Sequence, residues 1–585
     1  MSDDTIRVTP NDTPSAIDRG RGRLVAWRDA GPGNWYSDNA VLRALFVRLS
    51  PHADQQTHAR LHAYGAEIAA AEPLVHRCSH DPYLPTLERF DAIGRRHERV
   101  RFDGAYHEVG RLVYGSGVMG LTGQAGRAVE QALLVLLTSH HGEAGHTCPL
   151  ACTAGLIKAI QQVGHPALQR NLLPGLANPD YDQRLHGAQF LTEVQGGSDV
   201  GANATRARRI AEEAPDLPAL WAIDGEKWFC SVVDAPLYVV TARPYSAAEG
   251  TRGLGLFVVP HDLPPDGKVA ARPLSHRIGD TPNPVNHFGI RRLKHKLGTR
   301  AMASGEVDWH GAHAWQLGSL DRGFHNTVEI VLNTSRLFNA MACAGILWRA
   351  YYEASGFALH REAFGVPVAR FPSADQALAQ LFVEAAAGSA STLDLAATGE
   401  TADHAAALRI GVNMNKYWTS VRATQMVRLA MEVLAGNAAI EDFTPLGRLY
   451  RDCMVTEAWE GTHNVLAAQT WRDMQKLRLH EAWLAWLAPR VRQLPADLAH
   501  PIRTRLQQLS DSSVVLLAAA DAGRSVLATR AWMENAMIAH QAVCLAELAV
   551  GVEASVPIAV LGHWLELHPP RSAIAAQGWW PGRSA

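Results

Sequence analysis

The chain has 585 residues, a formal charge of −2 and a hydrophobic share of 47%. That length predicts several packed domains, and the near-neutral balance gives no support for a general nucleic-acid or membrane partner. Seven cysteines are too few for a secreted disulfide scaffold and fit reduced thiols.

The opening Met1-Ser2-Asp3-Asp4-Thr5 has no charged stretch followed by an apolar run, so no signal peptide is expected. Apolar runs such as Val514 to Ala520 are too short to span a bilayer. A soluble, cytoplasmic protein without a membrane partner is the expectation. The first 35 residues are polar and Gly/Pro-rich, the composition of a loosely ordered terminus. From Asp38 to Ala177 the pattern is mainly helical, with apolar residues three and four apart in Asn39–Leu49 and Ala128–Leu137. Cys148 and Cys152 near His146, and the pair His140-His141, lack a second ligand pair and read as helix interior; no metal is expected.

Near Leu185 the texture changes. Short strand-like runs appear at Ala188–Thr192, Leu220–Ile223, Leu237–Ala242 and Gly255–Val259, separated by turn-rich Asp224-Gly225 and Pro264-Pro265-Asp266-Gly267. A basic cluster, Arg291, Arg292, Lys294, Lys296 and Arg300, reads first as a solvated face and second as an anion patch. After Phe324 long helices return. Ile330, Leu337, Met341, Ala344 and Trp348 form one continuous helix face, an Ala-rich stretch covers Ala374–Ala397, and Ala405–Leu434 stops at Gly436, a plausible C-cap. A fourth helix carries Asn464–Leu477, which suggests a bundle. A further Ala/Leu-rich helical region runs from Glu481 to Ala585, interrupted near its start by Pro489 and Pro495. The fold class predicted is α+β, mostly α. It comprises an N-terminal helical domain (1–185), a central β domain (186–312), a C-terminal helical bundle (313–480) and an additional helical region (481–585).

Three constellations carry chemistry. In Phe190-Leu191-Thr192-Glu193-Val194-Gln195-Gly196-Gly197-Ser198-Asp199-Val200 a strand ends in a glycine pair, which lets backbone approach a ligand and point N–H groups at phosphate, with Ser198 and Thr192 adding hydroxyls. In Asp224-Gly225-Glu226-Lys227-Trp228-Phe229-Cys230-Ser231, read as a tight hairpin feeding a strand, alternation puts Phe229 and Ser231 on one face. A ring and a hydroxyl facing one way suit a planar cofactor. In Trp459-Glu460-Gly461-Thr462 a carboxylate beside Trp and Gly is placed for desolvation, which raises its pKa toward that of a general base. Each has a plainer reading: a turn, a half-buried strand face, and an ordinary helix-start charge.

In this order and spacing, the pieces resemble the acyl-CoA dehydrogenase family across residues 100–475. The supporting runs are Thr192-Glu193-x-x-x-Gly197-Ser198-Asp199, Gly225-x-Lys227-x-Phe229-x-Ser231, Arg361-x-x-Phe364-Gly365, Glu432 to Asn437, Leu449-Tyr450-Arg451-Asp452 and Glu460-Gly461-Thr462. Gln195 to Val200, Lys227-Trp228-Phe229, Arg292 to Gly298, Trp459-Glu460-Gly461 and the extra C-terminal helices are most similar to the AidB-like branch. The resemblance implies a β-barrel-like middle domain, a four-helix bundle and FAD between them. By position it implies that Leu191, Thr192 and Ser198 contact flavin and pyrophosphate, that Phe229 packs on the ring, that Ser231 bonds near N5, and that Thr462 also touches the cofactor. Arg361, Phe364 and Gly436 match positions that grip the adenosine part of FAD bound by a neighbouring subunit, which implies a homotetramer.

The reaction implied is α,β-dehydrogenation of an acyl-CoA or related thioester with Glu460 as base, electrons leaving to an electron-transferring flavoprotein. Some members carry the base just before an Arg on the first bundle helix; here that dipeptide is Ser335-Arg336, and Arg336 becomes a structural or positioning residue. Phe229 replaces a frequent Trp, Glu432 a usual Gln and Trp459 a frequent Tyr, so Trp459, beside the base, is expected to narrow the acyl pocket, with Gly461 in a substrate or positioning role. Two alternatives stay open. One is an AidB-like, DNA-associated flavoprotein of the alkylation-damage response with weak dehydrogenase activity. Against it, Arg490, Arg492, Arg503, Arg505, Arg524, Arg530, Arg571 and Arg583 are balanced by as many acidic residues in the tail, with no lysine after Lys476. The other is a flavin oxidase or monooxygenase on the same fold, which the presence of Glu460 disfavours.

Overall fold

The computed structural model describes residues 15–264, 268–273, 284–518, 522–550 and 558–569. The expected Pro265-Asp266-Gly267 turn, the opening pentapeptide, Arg571 and Arg583 lie outside these residues, and so does the Arg524 side chain.

The N-terminal region packs helices α1 (Ala16–Asp29), α2 (Ala40–Leu49), α3 (Gln55–Ala69), α4 (Glu72–Cys78), α5 (Gly104–Gly115), α6 (Ala128–Thr138), α7 (Thr147–Val163) and α8 (Pro166–Leu176). One expectation is corrected here. Residues 16–29 are a helix rather than a loose terminus, because Ser15 and Asp18 close a capping box and Trp27 is buried against Phe357 and Phe443. A hairpin of β1 (Thr86–Phe90) and β2 (Arg96–Arg101) interrupts the helices.

The middle region contributes β3 (Gly187–Phe190), β4 (Arg206–Ala211), β5 (Leu220–Ser231), β6 (Leu237–Pro244), β7 (Gly255–Pro260), β8 (Phe288–Leu293) and β9 (Ser304–Gln316). Pairing runs β6–β4–β5–β9–β7 and returns through β7–β6, a closed circuit, with β3 added parallel to β6 and β8 antiparallel to β9. Closure removes exposed strand edges. Phe190, Tyr238, Phe288 and Trp309 fill the interior. The expected hairpin at Asp224-Gly225 is absent. β5 runs straight through with a register shift against β9 between Ile223 and Asp224, and a Cβ at Gly225 would lie 2.8 Å from Thr205 Cα. The glycine marks a close strand crossing and a bulge rather than a turn.

The second helical region holds α9 (Gly323–Asn326), α10 (Asn333–His360), the short pair β10 (Glu362–Ala363) and β11 (Val366–Pro367), α11 (Pro372–Thr398), α12 (Ala405–Leu434), α13 (Leu446–Ala458) and α14 (His463–Leu477). Ile330 lies in a π-helical turn, Thr327–Leu332, so the continuous face expected from Ile330 to Trp348 is broken at its start. The left-handed residue ending α12 is Ala435, φ 52°, not Gly436. The stretch Leu320–His360 is long and apolar enough to cross a membrane, yet 78% of its most apolar window is buried inside the protein.

Helices α15 (Leu479–Arg492), α16 (Ala496–Ala518), α17 (Ala522–Ala549) and α18 (Ile558–Leu567) follow, packed on α11, α12 and α14. Pro489 sits in the last turn of α15 without ending it; the break falls at Pro495. The junction is polar at its centre. Arg490 pairs with Asp394 at 2.8 Å and Glu547 at 2.7 Å, and His540 contacts Asp394 at 2.7 Å. Asp394, His540 and Cys544 are close enough to hold a metal, but the Arg490 guanidinium already occupies that cluster.

Candidate active site

Glu460 occupies the turn between α13 and α14. Two consecutive residues there have positive φ, Glu460 at 56° and Gly461 at 104°. Left-handed backbone costs a non-glycine residue about 1–2 kcal/mol, so contacts from outside must hold the turn. The Arg336 guanidinium donates to the Glu460 carbonyl at 3.0 Å. The Lys416 ammonium donates to the carbonyls of Glu457 at 3.0 Å and Gly461 at 3.2 Å. Arg336 is fixed in turn by Asn413 at 2.6 Å and Asn333 at 3.2 Å, and the Trp459 indole donates to Asn339.

The Glu460 carboxyl receives one hydrogen bond, from the Gln189 amide at 3.0 Å; Oε2 is shielded from solvent and has no protein donor. Gln189 is held by Ser335 at 3.0 Å. Burial raises the Glu460 pKa above the ordinary glutamate value despite the nearby charges of Arg336 and Lys416. The same burial brings Lys416 down to about 8. A carboxylate stripped of solvent and given a single donor is a poised base.

Glu460 opens onto a cavity of about 990 Å³, at the upper end of the small-molecule range. Leu191, Thr192 and Ser198 line it from the loop after β3. Phe229 and Ser231 line it from β5, Lys294 and Lys296 from the segment after β8, and Arg336, Trp459, Gly461 and Thr462 complete the wall. The 191–198 loop is folded tightly on itself, since a Cβ on Gly197 would approach Thr192 Oγ1 to 2.4 Å. Behind it Glu193 is buried and accepts from Lys227 Nζ at 2.7 Å, Thr205 Oγ1 at 2.6 Å, Thr205 N at 3.2 Å, Ala204 N at 2.6 Å and Gln195 Nε2 at 2.7 Å. The motif glutamate is thus the loop's anchor.

On β5, Phe229 leaves half its surface open and Ser231 sits two residues on, both toward the cavity. Ser231 Oγ is 3.4 Å from Ser304 Oγ, its register partner on β9, and Lys296 Nζ donates to Ser304 Oγ at 3.1 Å and to the Met302 carbonyl at 2.7 Å. An ammonium has donors and no acceptor, so Ser304 Oγ accepts from Lys296 and its own hydrogen is left for Met302 Sδ at 3.5 Å or for Ser231. Burial pulls the Lys296 pKa below the ordinary lysine value and pushes that of Glu143 above the ordinary glutamate value. An open aromatic face, two hydroxyl-bearing loops and a turn in which Gly197 has no room for a Cβ fit a flavin, a flat heterocycle with a polar edge and a phosphate tail.

Sequence reasoning missed several residues here. Gln189 stands just before the quoted motif and carries no periodic signal. The Ser231–Ser304 contact joins residues known to be neighbours only once β9 pairs with β5. Cys148 and Cys152, Sγ atoms 4.0 Å apart on α7, are helix interior as expected but also line the cavity. The basic cluster divides: Arg291 pairs with Glu226 and Asp308, Arg292 and Lys294 with Glu306, and Arg300 with Asp81. Arg361, Phe364 and Gly436 do not line the cavity; Phe364 is 98% exposed with φ 52°.

A closed β middle region between two helical regions, with a desolvated glutamate facing a flavin-sized cavity, defines an acyl-CoA dehydrogenase-type flavoprotein. Family models agree. The AidB N-terminal domain matches residues 28–183, the acyl-CoA dehydrogenase middle domain 188–310 and the acyl-CoA dehydrogenase C-terminal domain 321–475. The putative acyl-CoA dehydrogenase AidB of Escherichia coli is 30% identical over 432 residues, 71% of this chain and 74% of that protein. Acyl-CoA dehydrogenase family member 11 of Caenorhabditis elegans is 29% identical over 75% of this chain and 70% of its own. In structure, Caenorhabditis elegans ACDH-11 in complex with C11-CoA superposes with a TM-score of 0.79 at 24% identity, covering 92% of each chain. An acyl-CoA dehydrogenase complexed with FAD from Bacillus anthracis gives 0.65 at 15% identity over 88% of this chain and 85% of that one. The chain belongs to the acyl-CoA dehydrogenase family, with an AidB-type N-terminal domain, and is an FAD-dependent oxidoreductase of the kind acting on CH–CH donors.

Proposed function

We propose that the protein dehydrogenates an acyl-CoA or related thioester between Cα and Cβ, with Glu460 taking the Cα proton. The observation that carries this reading is the Glu460 carboxyl itself, desolvated, with Oε2 lacking a protein donor and the residue set against a cavity large enough for cofactor and substrate. FAD, when bound, supplies the acceptor for the hydride lost from Cβ. Leu191, Thr192, Ser198, Phe229, Ser231 and Thr462 are the groups to hold it. Gln189 orients the base, Arg336 and Lys416 hold its strained turn, and Trp459 limits the acyl pocket.

Ser335 occupies the alternative base position and carries no carboxyl, which leaves Glu460 to do the work. The bare, outward-facing Phe364 beside Arg361 suits capture of the adenosine end of a neighbouring subunit's FAD, with Gly436 in the same role, and so a homotetramer. An electron-transferring flavoprotein is the proposed acceptor. In its support, the caffeyl-CoA reductase-Etf complex subunit CarC of Acetobacterium woodii is 25% identical over 47% of this chain.

The test is Glu460→Gln. The variant should be purified yellow, with FAD bound, and should no longer exchange the α-proton of an acyl-CoA with deuterated solvent. Exchange or turnover at the parental rate would remove Glu460 from the role of base.

A further inference from the structure

We infer that Lys296, standing behind Ser231 through Ser304, is the fixed cation that raises the reduction potential of the bound flavin. The inference rests on the reading above only in seating FAD against Phe229 and Ser231. It needs nothing of the thioester chemistry.

The pairing of β5 with β9 sets Ser231 opposite Ser304, hydroxyl to hydroxyl at 3.4 Å, and Lys296 Nζ lies 3.1 Å beyond Ser304 Oγ. All three side chains line the main cavity. Lys296 also donates to the Met302 carbonyl at 2.7 Å; among the described residues these are the only oxygens it donates to. The segment that carries it cannot drift. The Thr299 N–H donates to Asp452 of α13 at 2.6 Å, and the same carboxylate accepts from the Glu143 N–H at 3.1 Å. Gly298 lies so close to the Arg451 carbonyl that a Cβ would not fit. Residues 296–299 are therefore pressed against α13 and the turn before α7, and the ammonium is held at one place on the cavity wall.

Other cations on that wall are differently engaged. Lys294 pairs with Glu306 at 2.8 Å and lies over the Trp228 ring, and Arg336 is taken up by the Glu460 carbonyl and two asparagines. The carboxyls nearest Lys296 in effect, Glu143 and Asp452, do not line the main cavity; they line a separate small hollow with Ser79, Arg300, Arg448 and Arg451. Glu143 is turned to the backbone there, accepting from the N–H of Gly145 at 2.9 Å and of Cys148 at 3.3 Å. Burial disfavours the charge on Lys296, while Glu143, Cys148 and Asp452 favour it. A cofactor seated in the cavity thus meets the ammonium first and the carboxyls behind it. Two electrons and one proton taken up by an isoalloxazine leave it one negative charge richer. Away from bulk water, a fixed cation close by stabilises that added charge, and this is how a protein tunes a flavin.

The experiment reduces the FAD-loaded protein anaerobically with xanthine, xanthine oxidase and a viologen mediator beside a reference dye, with no acyl substrate present. The midpoint potential of the bound flavin is read from the two absorbances. Lys296→Gln should shift the reduction equilibrium about tenfold toward the oxidised flavin, a fall of ~30 mV for a two-electron couple. Lys296→Arg, which keeps the charge, should restore most of that shift, a rescue that a merely structural lysine would not show. Glu143→Gln, which takes a negative charge from behind the ammonium, should move the potential upward. Less than a twofold shift in Lys296→Gln, or an Arg variant that falls as far as the Gln variant, would overturn the assignment. If Lys296→Gln takes up no flavin, Glu143→Gln decides alone, and an absent or downward shift there has the same consequence. Loss of acyl-CoA turnover in a parent whose potentials separate as stated would count against the dehydrogenase reading only.

Discussion

Glu193, behind the 191–198 loop, and Glu460, in the turn before α14, are both withdrawn from water, yet folding drives their acidities apart. Burial opposes ionisation at each. At Glu193 the Lys227 ammonium and its hydrogen bond, the Thr205 hydroxyl and the backbone N–H of Ala204 outweigh burial, and the pKa falls. At Glu460 the more distant charges of Arg336 and Lys416 and the single bond from Gln189 do not, and it rises. The number and closeness of donors therefore decide whether a buried glutamate becomes a strut or a base.

The comparison breaks most visibly if a strut partner is removed. Lys227→Met leaves the Glu193 carboxylate buried without its cation, an error worth about 3–5 kcal/mol. Calorimetric unfolding should show the transition that includes the barrel falling accordingly, with FAD loosened as the loop loses its anchor. A loss below about 1 kcal/mol would be within the range of an ordinary exposed ion pair and would mean that Glu193 does not depend on Lys227. Next in size is Gln189→Leu, which takes away the one hydrogen bond to the base. A bond to a charged group contributes about 1.5–3 kcal/mol, so the acid limb of the rate–pH profile should move upward by about one to two units. A limb that stays in place would separate that titration from Glu460.

The two regions also differ in how well the sequence announces them. Trp459-Glu460-Gly461 is a local signal, a carboxylate beside Trp and Gly, and so is the alternation that aims Phe229 and Ser231, although the groups that hold the turn, Arg336 and Lys416, come from far along the chain. Strands β6 and β7 were visible as buried apolar runs. By contrast β4 reads Arg-Ala-Arg-Arg-Ile-Ala and β9 is rich in glycine, alanine and histidine; both are strands because β5 pairs with them on either side. The C-terminal arginines show the same limit. Counted as tail charges they were cancelled by as many acidic residues, with only folded geometry left to gather them on one face. Folded, Arg490 is locked between Asp394 and Glu547, Arg505 donates to the His568 carbonyl at 2.7 Å and Arg530 to Tyr417 at 3.4 Å. Three of the charges a DNA-binding surface would need are turned inward by partners distant in sequence.

The finest test uses stability against pH in Glu460→Gln and Glu193→Gln, because the predicted slopes have opposite sign. Glu460 has a folded pKa above its unfolded value of about 4.3. Its contribution to stability is fully present below that value and is lost as pH rises through the folded pKa. The Gln variant should therefore match the parent in acid and exceed it near neutrality. Glu193 has a depressed folded pKa, so its contribution is present above about 4.3 and disappears as pH falls through the folded value. Glu193→Gln should lie well below the parent near neutrality and converge on it in acid. Melting curves of the three proteins across that window decide the matter. If both variants diverge from the parent in the same direction, the two carboxyls are not held in opposite states, and Glu460 loses the physical basis for acting as a base.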